Sequence, residues 1–112
     1  MKKRKRCRHW WVKEFQPHYQ GKVERLHYLW CKECEKVQVV GWEWEQSTEG
    51  YVGSAWGRWY RIRRVPTGTR WSCEELQGDF YDEFRAARFA TATSLAEAKE
   101  KCYRKAAQRQ NG

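Results

Sequence analysis

Two short motifs contain the residues of this chain with the clearest chemistry. Cys31 and Cys34 form a C-x-x-C pair, and Cys7 and His9 form a C-x-H pair further upstream. A C-x-x-C turn presents two thiolates to one ion, and structural zinc sites accept three cysteines and one histidine. The two motifs together predict a structural Zn²⁺ site that is built from Cys7, His9, Cys31 and Cys34.

The identity of the fourth ligand has alternatives in the sequence. His18, in a predicted turn, would replace His9 if the chain doubles back, and His27 on a predicted strand is a further candidate. The competing interpretation is that the C-x-x-C cysteines are surface thiols by chance and that Cys7 belongs to a tail. The chain has few aliphatic residues for a core, so a bound metal ion would add needed stability. This favours the metal-site interpretation over chance surface thiols.

The remaining cysteines are expected to pack in the core. Cys73 lies in a predicted strand and Cys102 on the apolar stripe of a predicted helix. An odd total of five cysteines without a secretion signal disfavours disulfides and predicts a reducing compartment. The expected location is the cytoplasm of a phage-infected or bacterial cell, or the nucleus in a eukaryotic source, where "KKRKR" would act as an import signal.

Length and composition restrict the partners of the chain. At 112 residues it can form one ordinary domain or two small ones, and its formal net charge of +9 favours polyanions such as DNA or RNA. Eight Trp, six Tyr and four Phe supply most of the apolar bulk, and these side chains serve cores and binding surfaces alike. No apolar run approaches the roughly 20 residues that span a bilayer, so no membrane partner is expected.

The pattern predicts an α+β fold, in which a small zinc-stapled β-hairpin unit precedes a three-stranded antiparallel sheet packed with one C-terminal helix. The predicted segments are a basic arm (1–6), a zinc-ribbon-like unit (7–45), a glycine-rich loop (46–57) and a βββα unit (58–109). Ser94 and Glu97 form a capping box that starts a helix over 95–108. Its apolar stripe consists of Leu95, Ala98, Cys102 and Ala106.

Residues 7–40 resemble zinc ribbons and zinc knuckles, including the short cysteine–histidine proteins of bacteriophages. The resemblance rests on the four candidate ligands and a hairpin around the Cys31–Cys34 turn. The glycine that usually follows the second cysteine in these families is replaced by Glu35. This departure weakens the family match and leaves the coordination argument intact.

A basic, aromatic hairpin is the predicted nucleic-acid site, because arginine binds phosphates and indoles stack on bases. Trp59, Arg61 and Arg63 share one face of its first strand. The alternative is a solvated basic strand whose tryptophans fill the core. The full set of candidate residues is Arg58, Trp59, Arg61, Arg63, Arg64, Arg70 and Trp71 of the hairpin, with Lys2, Lys3, Arg4, Lys5 and Arg6 of the arm.

Residues 57–107 weakly resemble the AP2-like DNA-binding domain of plant regulators and phage integrase arms. The strings "GRWYRI" and "FATATSLAEAKEKCYRKAA" carry the resemblance, which implies a three-stranded sheet that lies in the major groove of DNA. Here the segment between the phenylalanine and the helix is longer, and the acidic run is foreign to that family. The matching residues are Gly57, Arg58, Trp59, Ile62, Phe89, Thr91, Ala98 and Tyr103.

The acidic run "CEELQGDFYDEF" supports a second function. It contains Glu74, Glu75, Asp79, Asp82 and Glu83, which would repel phosphate and could dock a basic protein. The alternative to nucleic-acid binding is therefore a phage-type inhibitor of a host defence complex, anti-CRISPR-like, that acts by protein–protein binding. No catalytic motif is present, and four protein ligands would fill the zinc site, so a non-enzymatic protein is expected.

Overall fold

The computed structural model describes residues 7–19, 22–48, 50–77 and 85–112, which form two antiparallel sheets and a C-terminal helix. The α+β prediction is confirmed. The first sheet has the order β1-β2-β3, and its strands are β1 (Trp11–Tyr19), β2 (Lys22–Cys31) and β3 (Val37–Gly41). β1 pairs with β2, and the Cys31–Cys34 segment forms the predicted turn.

The second sheet is larger than predicted. In the described residues it has five strands in the order β4-β5-β6-β7-β8, with α1 after them. Their bounds are β4 (Glu45–Gln46), β5 (Gly50–Ala55), β6 (Arg58–Arg64), β7 (Trp71–Gln77), β8 (Arg85–Ala92) and α1 (Leu95–Asn111). Three of these strands, β6 to β8, were predicted.

The prediction of a loop over 46–57 is wrong for half of this segment, because strand β5 spans Gly50–Ala55. Its small residues are needed for packing: Gly53, Ser54 and Ala55 are buried, and a Cβ on Gly53 would overlap the indole of Trp42. Trp56 and Gly57 both have positive φ (51° and 81°) and form the tight turn into β6. The small residues of this segment therefore belong to a buried strand, in which Gly53 lies against the indole of Trp42.

The two sheets share one core. The indole of Trp42, which follows β3, stacks on Tyr60 of β6 at 5.3 Å and meets the edge of Tyr103 of α1 at 4.6 Å. Leu26 of β2 and Ile62 of β6 are fully buried in the same cluster. Residues 7–45 and 58–109 thus fold against each other.

The helix begins and packs as its sequence predicts. The Ser94 hydroxyl accepts a hydrogen bond from the Glu97 N–H at 3.1 Å, and the Glu97 carboxylate accepts from the Thr93 N–H at 3.2 Å. Ala98, Cys102 and Ala106 of the predicted stripe are buried against the sheets. The part of the chain that the structure describes contains no helix long and apolar enough to cross a membrane.

Candidate metal centre and basic sheet face

The four predicted zinc ligands lie together. The ligand atoms of Cys7, His9, Cys31 and Cys34 are all within 4.8 Å of one another. The two Sγ atoms of Cys7 and Cys31 are 3.5 Å apart, and Nδ1 of His9 is 3.4 Å from Sγ of Cys34. This cluster brings together the C-x-H and C-x-x-C motifs that the sequence singled out.

Strand pairing explains why the two motifs meet. Trp11 at the start of β1 pairs with Cys31 at the end of β2, so the residues before Trp11 run beside the turn that follows Cys31. The Lys32 N–H donates to the Trp10 carbonyl at 3.2 Å and ties the two segments. The turn itself is closed by the Glu35 N–H, which donates to the Cys31 carbonyl at 2.8 Å.

The surroundings of Cys31 stabilise a thiolate. Burial alone would raise the pKa of its thiol, but hydrogen bonds from the Cys34 backbone, from His9 and from the Glu33 backbone lower it to about 6. Desolvation chiefly raises the pKa of the adjacent Cys7 thiol, to about 12, and its hydrogen bonds to Cys31 and Cys34 raise it further. Two thiols so close therefore favour one negative charge, and a divalent cation would stabilise the second thiolate.

Two of the separations between the ligand atoms are close to those around a tetrahedral ion. Zinc lies about 2.3 Å from cysteine sulfur and about 2.0–2.1 Å from histidine nitrogen, so ligand atoms of a tetrahedral site are about 3.5–3.8 Å apart. The separations of 3.5 and 3.4 Å in this cluster are close to those values. Three cysteines and one histidine are also a common structural donor set. The residues present thus fit a metal ion.

The alternative histidines are not part of the described cluster. His27 lies on β2 and packs against Phe15, with ring centroids 4.6 Å apart. The side chain of His18 is outside the described residues. Cys73 and Cys102, which were predicted to pack, are fully buried.

The predicted nucleic-acid residues of the hairpin divide between two faces of the second sheet. Trp59, Arg61 and Arg63 lie on the face turned away from α1, since the alternating Tyr60 and Ile62 are buried in the core. This division of β6 was predicted. The arm residues Lys2, Lys3, Arg4, Lys5 and Arg6 are outside the described part of the chain.

This face does not include Arg58, Arg64 or Trp71, which alternate with its members. The indole of Trp71 packs against the core on the helix side, and the guanidinium of Arg64 lies 5.7 Å from its ring centroid. Arg58 and Arg70 are exposed at the beginning of β6 and just before β7. Trp71 is thus a packing residue, as the competing interpretation of the tryptophans proposed.

A buried carboxylate organises the outer face. The side chain of Glu74 is 3% exposed, and it accepts hydrogen bonds from Nε of Arg61 at 2.8 Å and from Nε of Arg63 at 2.9 Å. The Ser72 hydroxyl donates to the same carboxylate at 3.1 Å. Burial opposes the charge of Glu74, but these hydrogen bonds outweigh it and lower its pKa, so the group stays ionised.

The sequence did not single out Arg88 of β8, which completes this group. Its Nε donates to the Ser72 hydroxyl at 2.8 Å, and it pairs in register with Glu74. Two guanidinium groups therefore bind one carboxylate, and a third binds the hydroxyl that donates to that carboxylate. We call Trp59, Arg61, Arg63 and Arg88 the arginine face. The alternation of β8 could have placed Arg88 on one face, but the pairing partner is visible only in the fold.

The predicted acidic patch is wrong for its first two residues. Glu74 and Glu75 are buried on opposite faces of β7. Glu74 pairs within the arginine face, whereas Glu75 accepts hydrogen bonds from Nε and Nη2 of Arg109 of α1, at 3.1 and 3.0 Å. Asp79, Asp82 and Glu83 lie outside the described residues.

No family model matches this chain, and no curated protein or solved structure is significantly similar to it.

Proposed function

We propose that this chain is a non-enzymatic nucleic-acid-binding protein whose N-terminal sheet is stapled by a structural zinc ion. The observation that carries the zinc assignment is the gathering of Cys7, His9, Cys31 and Cys34 within 4.8 Å. Zinc is preferred because cysteine and histidine are its usual structural ligands. An ion with four protein ligands would fix the turn between β2 and β3 against the lead-in to β1.

The arginine face supports nucleic acid as the partner. Glu74 binds Arg61 and Arg63 through their Nε atoms, and Ser72 binds Arg88 in the same way, so each guanidinium is held in a fixed orientation. Three positive charges against one negative charge leave this group cationic. Arginine contacts phosphate oxygens with geometric specificity, and the net charge of +9 adds long-range attraction to a polyanion.

The test is the salt dependence of DNA and RNA binding by the zinc-loaded protein. Arg88→Ala removes a cation from the arginine face without unpairing Glu74, so the slope of log affinity against log salt should flatten by about 0.7–0.9. Arg104→Ala is the matched control, because Arg104 lies on α1, is 72% exposed and pairs with Glu100. Its loss should leave the slope nearly unchanged.

Two results would overturn the proposal. The first is a wild-type protein that shows no affinity for DNA or RNA at low salt. The second is native mass spectrometry of nuclease-treated protein that shows a well-folded chain without metal. Equal slopes for Arg88→Ala and Arg104→Ala would instead remove the arginine face from the binding site, and deletion of residues 2–6 would then test the basic arm.

A further inference from the structure

In the part of the chain that the structure describes, no other strand or helix packs on the outer face of the first sheet, and this face is rich in aromatic side chains. On its inner face, Leu26 is buried, and Tyr28 and Val39 pack against the core. The alternating residues point outward, and Phe15 and Val40 are 50% and 59% exposed. We call the outward-facing residues Trp11, Phe15, His27, Leu29 and Val40 the aromatic face.

Two ring pairs stand at opposite ends of this face. Phe15 and His27 are directly opposed across β1 and β2, with centroids 4.6 Å apart. Trp11 stacks on His9 at 4.8 Å, and His9 belongs to the candidate metal centre. Lys13 is exposed between Trp11 and Phe15 in the same row of β1. Each ring is therefore held by a neighbour; Phe15, His27 and His9 remain exposed, and Trp11 is partly buried.

The charge around this face indicates the occupant. Lys13 lies between the rings, the Arg25–Glu43 ion pair beyond the His27 end adds no net charge, and five Lys or Arg residues at positions 2–6 immediately precede Cys7 in the sequence. Exposed aromatic rings beside cations are the elements with which open sheets bind unpaired bases: the rings stack on bases and the cations contact phosphates. In a duplex the flat surfaces of the bases are covered by their neighbours, so such rings cannot reach them.

Building on the proposed function, we propose that the aromatic face binds the unpaired bases of a single-stranded nucleic acid. Phe15 and Trp11 supply the stacking surfaces, His27 supports Phe15, and Lys13 contacts the backbone between them. The candidate metal centre holds the Trp11 end in place through the His9–Trp11 stack. The arginine face, on the other sheet, contributes phosphate contacts that do not depend on base pairing.

The experiment compares oligothymidylate, oligouridylate and a mixed-sequence DNA duplex, each about twelve nucleotides long, by fluorescence anisotropy with the zinc-loaded full chain. Phe15→Leu keeps an apolar side chain but removes the ring, and it should weaken single-strand binding about five- to a hundredfold. Phe15→Tyr keeps an aromatic ring and should bind single strands with the affinity of the wild type. Gln110→Ala, at an exposed position of α1 outside the aromatic face, is the control, and duplex binding should not change in any of the three variants.

Several outcomes would overturn the inference. Single-strand affinity that is the same in Phe15→Leu and the wild type, with Arg88→Ala still weakened, would refute the aromatic face and leave the proposed function standing. A wild type that binds neither single strands nor duplex would refute the proposed function itself. A dimer in sedimentation velocity that Phe15→Leu dissociates would show that a second copy covers this face. Unchanged thermal unfolding of Phe15→Leu excludes misfolding as the cause of any loss.

Discussion

The side-chain amide of Asn111 forms both hydrogen bonds that a neighbouring strand would form with Val37. The Val37 N–H donates to Oδ1 of Asn111 at 2.7 Å, and Nδ2 of Asn111 donates to the Val37 carbonyl at 3.1 Å. Asn111 ends α1, and Val37 begins β3 just after the cysteine turn. The last residue of the helix thus fixes the strand that leaves the candidate metal centre.

Replacing Asn111 should therefore loosen the junction between α1 and the first sheet. Asn111→Ala removes both hydrogen bonds and should lower the free energy of unfolding by about 1–2 kcal/mol, since each such bond contributes about 0.5–1.5 kcal/mol. Urea denaturation of the zinc-loaded protein measures the change. The exposed neighbour Gln110→Ala is the control, and an equal effect of both variants would show that the amide contributes nothing specific.

Metal removal should unfold the first sheet more than the second. Cys31→Ser with Cys34→Ser deletes half of the ligand set, so the one zinc ion expected per chain should be lost together with ordered structure in residues 7–41. Elemental analysis and amide hydrogen exchange report the two effects. Cys73→Ala, which alters a buried cysteine outside the cluster, should retain the zinc. A double variant with wild-type exchange protection would contradict a structural role for the metal.

The cluster of three cysteines and one histidine could be predicted because it depends mainly on residues that are close in the sequence. A C-x-x-C turn and a C-x-H segment at the start of a strand define their own geometry, and antiparallel pairing of β1 with β2 needs only to bring them together. The N-cap at Ser94 is likewise set by the adjacent Glu97. Such features depend on residues a few positions apart or on one strand pairing.

Features that depend on the partner of a strand could not be predicted. Glu74 and Glu75 are consecutive acids in the sequence, but strand alternation sends them to opposite faces and to different arginines. Glycine is rare in strands, so Gly53 was expected in a loop. It lies in a strand, where the indole of Trp42 packs against it and leaves no room for a side chain. Tertiary packing overrides local preference at these positions.

Glu35 occupies the position after the second cysteine, where zinc knuckles usually have a glycine, and its backbone conformation is one that glycine adopts more easily. Glu35 has a φ of 63°, in the left-handed region that costs a residue with a Cβ about 1–2 kcal/mol. Glu35→Gly should relieve this strain. Because glycine also gains entropy in the unfolded chain, we expect a net stabilisation of at most about 1 kcal/mol.

Thermal unfolding and competition with a zinc chelator measure this gain. The matched control is Lys36→Gly, at the next position, which lacks a positive φ and should lose stability. Destabilisation by both variants would indicate that the Glu35 side chain has a role that outweighs its backbone strain.

The stability of the helix start should depend on pH through Glu97. The Thr93 hydroxyl and N–H, followed by Lys101, stabilise its carboxylate and lower the pKa to about 2, below the ordinary value of 4.5. Because the folded-state pKa is depressed, the stabilisation is fully present above about pH 4.5 and is lost as the pH falls toward 2. Glu97→Gln should remove this pH dependence. Glu100→Gln, about one helical turn after Glu97, is the control and should keep it. The measurement is the difference in unfolding free energy between each variant and the wild type from pH 2 to 7. Acid also releases zinc, but it does so in the wild type and in both variants, so this effect cancels in the difference. A Glu97→Gln difference that stays constant across this range would refute the assignment.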